Sequence, residues 1–299
     1  MARATLLDLA KLNPDPFIQG VIEEALGSAP ELKVANARTM PGTGYRTVVR
    51  TGLPATGFRD ANEGVDSVLS TFESRLCKCY ILAARVEVDQ AIADAYVDGA
   101  FGYQALEAVG VMEAAYRKVG AQFYYGVNSD GKGFPGLIAS YDEANMTVDA
   151  EATANKTSVW FVKFGERDVQ FIFGEGSPLQ VSDWRIESLE DADGKKFPGY
   201  VADLTTWLGL QFVNKNSAVR IKNLGVSNGT RMSDDFAFEA LSKFPVGVRP
   251  DFCFMNRRSL EQLRRSRTNV TSPTGVPTIP DNVGGIPIVV TDSLVNTET

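Results

Sequence analysis

The residues of this chain that could do chemistry fall into a few groups, and each fails on a specific count. Gly126-Val-Asn-Ser-Asp-Gly131-Lys132-Gly133 approaches a phosphate-binding loop, in which backbone N–H groups and a lysine cradle phosphates. That motif needs Ser or Thr after the lysine to hold magnesium, a strand before it and a helix after it. Here Gly133 stands in the magnesium position and a helical pattern precedes the glycines, so a loop at a helix end is the better reading. Cys77-Lys78-Cys79 places two thiols on one face of an extended segment, since side chains i and i+2 share a face. A metal would need further ligands close by, which leaves two reduced thiols. Arg257, Arg258, Arg264, Arg265 and Arg267 crowd one short helical stretch. They could touch phosphates or the acidic surface of another subunit, and the plain alternative is a solvated helix face. The negative net charge favours the subunit contact over nucleic acid. Asp191, Asp193 and Gly194 resemble a fragment of a calcium loop but lack its twelve-residue pattern and terminal Glu, so they read as a turn.

The absence of histidine narrows the chemistry further. Ser-His-Asp and Cys-His catalysis cannot be built, and the 3 cysteines make a poor zinc set without histidine. An enzyme here would have to work with carboxylates, Lys, Tyr or an external cofactor. A formal charge of −7 argues against nucleic-acid coating by the whole surface. The low, odd cysteine count fits a reducing compartment rather than a disulfide scaffold. No run approaches the length of a membrane span, and the apolar patch Leu6 to Leu12 is broken by Asp8 and Lys11, so it is no signal peptide. The glycosylation triplets at Asn145, Asn155, Asn228 and Asn269 are then chance matches. No catalytic residue, metal ligand or cofactor is expected.

The elements that would have to position such residues are more telling than the residues themselves. Leu106, Val109, Met112, Tyr116, Val119 and Phe123 recur at spacings of three and four, which predicts one long helix over 103–125 with a single apolar stripe. Gly126 should cap it. Residues 1–40 read as an arm, with short helices at Thr5 to Lys11 and Phe17 to Leu26 and an extended run to Met40. An arm this apolar must pack on its own body or on a neighbour. Tyr45 to Thr51 and a run from Val68 to Leu82 make a long hairpin whose loop is rich in Gly, Pro, Asn and Asp, with Arg46 and Arg50 exposed. A two-stranded hairpin with few large apolar residues is marginal alone and needs something outside its own fold to lie against.

A strand over Ala84 to Asp89 leads into a helix from Gln90 to Val97, capped by Asp89. Residues 139–156 are polar and weakly patterned. Ser158 to Phe164 and Val169 to Phe173 read as a hairpin about Gly165-Glu-Arg-Asp168, and Leu204 to Val213 with Ala218 to Leu224 as a second pair; Ser182 to Gly194 between them reads as irregular. After Gly225, strand and helix alternate: a helix at Met232 to Phe244, a strand at Phe252 to Met255, a helix at Arg257 to Arg267 capped by Asn256, and a strand at Ile286 to Thr291. That is a small α/β lobe. An arm and a hairpin that cannot bury themselves point to burial between subunits.

Several ordered motifs carry a family resemblance. Gly52-Leu53-Pro54, Phe58-Arg59 and Asn62-Glu-Gly64 resemble the loop signature of a family of tailed-bacteriophage major capsid proteins. Phe123-Tyr-Tyr-Gly126 and Phe134-Pro-Gly-Leu137 resemble the end and exit of that family's spine helix. Ser158-Val-Trp-Phe-Val162 with Gly165, Trp207-Leu-Gly-Leu210 and Val219-Arg-Ile-Lys-Asn223 resemble its central strands. Pro250-Asp251, Met255-Asn256-Arg257 and Gly285-Ile-Pro-Ile288 resemble its closing segment. The set spans nearly the whole chain.

The resemblance implies an α+β subunit of the Hong-Kong-type capsid fold. Its parts would be an N-terminal arm at 1–40, the hairpin called the E-loop at 41–80, a P-domain at 81–135 with the spine helix, a connecting segment at 136–154, P-domain strands at 155–225 and an A-domain at 226–299. In many relatives the long P-domain strands follow the A-domain, so the segment order here looks rearranged. The implied role is a structural protein assembling as hexamers and pentamers into an icosahedral shell around double-stranded DNA. Arg46, Arg50, Leu53, Pro54, Phe58, Arg59 and Asn62 would serve the E-loop interface. Arg257, Arg258, Arg264 and Arg265 would make A-domain contacts. The short arm implies a separate scaffolding protein; a portal and a decoration protein are further implied partners. The location would be the virion, with assembly in the host cytoplasm. Two rival readings stand beside this one: an encapsulin-type shell around an enzyme cargo, and a carboxylate- or nucleotide-using enzyme, for which loss of nucleotide binding on Lys132→Ala would speak.

Overall fold

The structure, a computed structural model, describes residues 29–176, 179–271 and 279–298. The expected arm helices at 5–11 and 17–26 lie outside the described residues. The described part of the chain begins with a short helix α1 (Glu31–Val34) and strand β1 (Ala37–Met40), where an unbroken extended run was expected. The ribbon β2 (Gly44–Gly52) and β3 (Thr71–Lys78) follows, then β4 (Tyr80–Asp89), α2 (Gln90–Asp94) and the long helix α3 (Gly99–Tyr125). Beyond it come α4 (Leu137–Ser140), β5 (Thr147–Asp149), β6 (Thr157–Val162), β7 (Val169–Gly174), β8 (Arg185–Glu190), β9 (Lys196–Phe212) and β10 (Ala218–Leu224). The last segment holds α5 (Asp234–Ser242), β11 (Phe252–Met255), α6 (Arg257–Thr271), β12 (Asn282–Val283) and β13 (Ile286–Val290).

The strands form three sheets among the described residues. One runs β1-β7-β9-β4, with β8 also paired to the long β9; a second runs β12-β13-β11-β6-β10-β5; the β2–β3 ribbon stands apart. The two hairpins expected within 158–224 do not form. β6 pairs with β10, and β7 with β9. The four strands are one long antiparallel ribbon that passes from the six-stranded to the five-stranded sheet at Lys163–Asp168 and Asn214–Ser217. There the Lys163 N–H donates to the Ser217 carbonyl at 2.8 Å and the Val213 N–H to the Asp168 carbonyl at 3.1 Å. The Asp168 carboxylate secures the crossing, accepting from the Ser217 hydroxyl at 2.6 Å and lying 3.2 Å from Lys163 Nζ. β6 and β7 are buried at every position. A continuous apolar run shows that both faces are covered but not which strand lies beside it. The turn at Gly165–Asp168 is real, with the Asp168 N–H donating to the Gly165 carbonyl at 3.1 Å, yet it is a sheet crossing and not a hairpin end. The segment 155–225 therefore contributes to both sheets, and Ser182 to Gly194 holds β8 rather than irregular chain.

Helix α3 joins the sheets. Its 27 residues make a rod of about 40 Å at 1.5 Å per residue. Met112, Tyr116, Val119 and Phe123 are buried as the stripe requires. Leu106 is a correction: it is 59% exposed, and Val109 is only half-buried. The first half of the helix packs on β4 and α2 instead through Ala100, Tyr103 and Val111, against Val86, Val88 and Ala93. Phe123 sits where the two sheets meet. Its ring centroid lies 5.3 Å from that of Phe171 in one sheet and 6.2 Å from that of Phe254 in the other. Gly126 ends the helix at φ +53. A Cβ there would strike the backbone of Gly136, and a Cβ on Gly136 would strike the Gln122 and Phe123 carbonyls. This backbone-on-backbone contact is why the exit Phe134-Pro-Gly-Leu137 needs its glycine.

Candidate assembly surfaces

The β2–β3 ribbon is the least self-sufficient part of the subunit. In β2 side chains alternate, so Arg46, Val48 and Arg50 share an exposed face. The Arg50 guanidinium lies 5.5 Å from the centre of the Phe72 ring. Beyond the strands, Leu53, Phe58, Val65 and Leu69 are exposed, Phe58 completely, and Pro54 is half-buried. The tip has its own small architecture. Arg59 Nη1 donates to the Glu63 carbonyl at 2.8 Å, the Asp60 N–H donates to the Glu63 carboxylate at 3.3 Å, and Asn62 takes φ +71, which Asn tolerates better than most residues. Arg59 thus helps to shape the loop.

At the base the ribbon is tied to the body. Arg75 Nη1 donates to the Val213 carbonyl at 2.6 Å, on the stretch where the long ribbon changes sheets. Cys77, Cys79, Met40 and Ile172 form a small buried cluster, with Cys79 Sγ 3.8 Å from Met40 Sδ. Burial pushes both thiols above their ordinary range, so they sit protonated. Burial, and then Cys77, push the neighbouring Tyr45 hydroxyl up to about 12. The paired cysteines are packing residues, and no group of metal-binding side chains occurs among the described residues.

A second exposed apolar surface lies on α2 and the first half of α3. Ile92, Val97, Phe101 and Leu106 all face solvent. Acidic residues stand among them: Asp94, which accepts from the Tyr200 hydroxyl at 3.1 Å, Asp98 at the helix start, and Glu107 beside Tyr103. Asp89 caps α2 as expected, accepting from the Ala91 N–H at 2.8 Å.

The arginines of α6 have partners within the chain. Arg257 lies 3.5 Å from Asp292, and Arg264 and Arg265 both pair with Glu261. Arg258 donates to the carbonyls of Asn155 and Leu224 at 2.7 and 3.3 Å, and burial lowers its pKa. Arg267 grips Asp234 with two bonds of 2.7 and 2.6 Å. Asn256 caps α6 as expected, its side-chain carbonyl accepting from the Ser259 N–H at 2.9 Å.

The glycine loop is organised from the helix. Buried Gln122 donates from Nε2 to the carbonyls of Asp130 and Phe134 at 3.1 and 2.7 Å, and Lys118 pairs with Asp130 at 3.0 Å. Gly133 is needed because a Cβ would meet the Gln122 amide. These contacts hold the loop in shape from the helix side.

One well-connected polar group is one the sequence does not advertise. The Glu298 carboxylate accepts from the Tyr125 hydroxyl at 2.7 Å, from Ser158 Oγ at 2.6 Å and from Arg220 Nη2 at 2.9 Å. Arg220 also lies 5.5 Å from the centre of the Trp160 ring. The carboxylate therefore joins the end of α3 to β6 and β10. Its position in a polar tail, Asn296-Thr-Glu-Thr299, carries no pattern that would single it out.

The family described as "Major capsid protein GP7" matches residues 21–299. The chain belongs to this family of major capsid proteins. Among solved structures it is similar to that of bacteriophage Epsilon15, with a TM-score of 0.69 and 21% identity over 88% of this chain and 87% of the other. It is also similar to the capsid of bacteriophage JBD30, with a TM-score of 0.53 and 9% identity over 90% and 92%. No curated protein gives a match. The fold is the α+β Hong-Kong-type capsid fold, and the protein is a structural component of the virion shell, built from many copies of the chain. The exposed ribbon and helix surfaces are to be read in that light.

Proposed function

We propose that the subunits form hexamers and pentamers of an icosahedral shell around double-stranded DNA, each E-loop lying on the α2–α3 surface of the next subunit. The observation that carries this is the complementarity of two exposed surfaces. The ribbon presents Val48, Leu53, Phe58, Leu69 and Phe72 with Arg46 and Arg50, and the helix surface presents Ile92, Val97, Phe101 and Leu106 with Asp94, Asp98 and Glu107. Closing apolar surface against apolar surface is worth about 25 cal/mol per Å². The charges fix register and partner more than affinity. Because a ribbon meets a different patch on its neighbour, the contact is head-to-tail, and such contacts make rings when the rotation between subunits closes.

In this reading the E-loop is the β2–β3 ribbon with its loop. The P-domain is α3 with the five-stranded sheet, and the A-domain is the six-stranded sheet with α5 and α6. The A-domain then takes in β6 and β10, and the strands β7 to β9 are inserted between its parts. Assembly in the host cytoplasm with a separate scaffolding protein and a portal, and with room for a decoration protein, completes the proposal. Placing aspartate at both Phe101 and Leu106 should abolish shells seen by electron microscopy while the subunit keeps its circular dichroism spectrum. Normal shells from that variant would rule out the α2–α3 surface.

A further inference from the structure

Glu31 is a carboxyl in an unusual place. It opens α1 and is fully buried. Ser293 Oγ donates to its Oε1 at 2.5 Å, while Oε2 is buried with no hydrogen-bond partner. The Ser293 N–H in turn donates to Thr291 Oγ1 at 3.0 Å, so the donor is held in place. On the spine side, Gly120 leaves room for the pair, since a Cβ there would strike both Glu31 Oε1 and Ser293 Oγ. Three chain segments that are far apart in sequence therefore meet at one carboxyl: the arm, the C-terminal part of α3 and the segment after β13.

The charged and titratable groups around it do not favour an anion. No Lys or Arg pairs with Glu31 among the described residues. Asp292 adds negative charge from the C-terminal segment. From α3, the buried Tyr124 hydroxyl also lacks a hydrogen-bond partner, and its pKa is driven well up by burial first and then by Glu31. Hydrogen bonds from Ser293 and Thr291 are the only help an ionised Glu31 receives from side chains, and burial outweighs them, so its pKa is raised from the ordinary 4.5. A buried carboxylate without a cation is costly enough that the group gives up its charge or its burial.

We propose that Glu31 is a proton-operated latch: neutral, it seats α1 between the spine helix and the C-terminal segment, and on losing its proton it releases residues 29–36 from that seat. Release exposes Ala29, Leu32 and Ala35, which are buried in the seated form. The seat and its proton are properties of the single subunit. Only their use, exchange of the arm between copies during assembly, rests on the capsid reading above. The sign follows from linkage. A carboxyl whose pKa is higher in the seated form favours seating in full below its ordinary value of 4.5. That contribution falls as pH rises towards the raised value and is constant beyond it. The slope is at most tenfold in the seating equilibrium per pH unit.

The test is hydrogen exchange of the α1 amides on the full chain between pH 5 and pH 8, corrected for the chemical exchange rate. The reporters are the N–H groups of Leu32, Lys33 and Ala35, which donate to the Ala29, Pro30 and Glu31 carbonyls at 3.1, 3.1 and 2.9 Å. Wild-type protection should fall with pH by up to tenfold per unit and then level off, while amides of β6 stay unchanged. Glu31→Gln should keep α1 protected and remove the pH dependence. Ser293→Ala withdraws a donor from the ionised form, so the fall should continue to higher pH before levelling. A flat wild-type profile, a Glu31→Gln profile that follows the wild type, or a Ser293→Ala profile that does so would each overturn the latch. Each result can be read whether or not the protein forms shells.

Discussion

Truncating Glu298 to alanine is the sharpest perturbation of the subunit itself. The side chains of Glu298 and Arg220 are only 6% and 13% exposed. Removing the carboxylate leaves the Arg220 charge without its partner beside Trp160, and leaves the Ser158 hydroxyl and the Tyr125 hydroxyl proton without their acceptor. Tyr125 would keep only the bond that its oxygen accepts from the Val295 N–H at 3.0 Å. Breaking a buried ion pair from one side costs about 3–5 kcal/mol, most of it the penalty on the charge left behind. Glu298→Gln should cost less, about 1–3 kcal/mol, because its carbonyl still accepts from the two hydroxyls while its amide faces the guanidinium. Replacing Arg220 with methionine first should remove most of the penalty of Glu298→Ala, since the stranded charge is gone. The assay is urea unfolding of dilute subunits, read as a shift in midpoint at constant slope. A loss for Glu298→Ala below about 1 kcal/mol, the scale of an ordinary substitution, would refute the idea that this carboxylate holds α3 to the six-stranded sheet.

Other outcomes can be checked alongside. Gly126→Ala should destabilise by at least about 1–3 kcal/mol, because it combines a left-handed φ with a collision against Gly136; thermal unfolding measures it. Arg59→Ala should lower shell yield and leave the melting temperature within error, since its bond to Glu63 shapes only the exposed tip; particle counts by electron microscopy decide it.

Much of the fold is legible in the sequence, and what is not has physical causes. The helix over 103–125, the exposed ribbon with Arg46 and Arg50, the strand at Phe252 to Met255 and the caps at Asp89 and Asn256 follow from period and capping chemistry. Those are local signals. The crosswise pairing of β6 with β10 and β7 with β9 is a long-range choice, and apolar runs buried on both faces are silent about their neighbours. Leu106 misleads because period alone cannot tell a face turned to the core from one left open for another subunit. On α6, the pairs of Glu261 with Arg264 and Arg265 are local and follow from helical spacing, whereas the fold brings Asp234 to Arg267 and Asp292 to Arg257. Glu31 and Glu298 leave no trace because each becomes special only when distant segments bury it. The assembly surfaces are readable as an excess, an arm and a ribbon with too little core of their own, and the family resemblance says what such an excess is for.

The central claim is that contacts between copies of this chain close the shell, with a scaffolding protein aiding assembly rather than supplying those contacts. Electron microscopy of the purified protein over a range of concentrations tests it most directly. The account predicts closed particles of uniform diameter, built from rings of subunits with the ribbon of each on the next. A protein that stays monomeric at every concentration, with no shells, would contradict it.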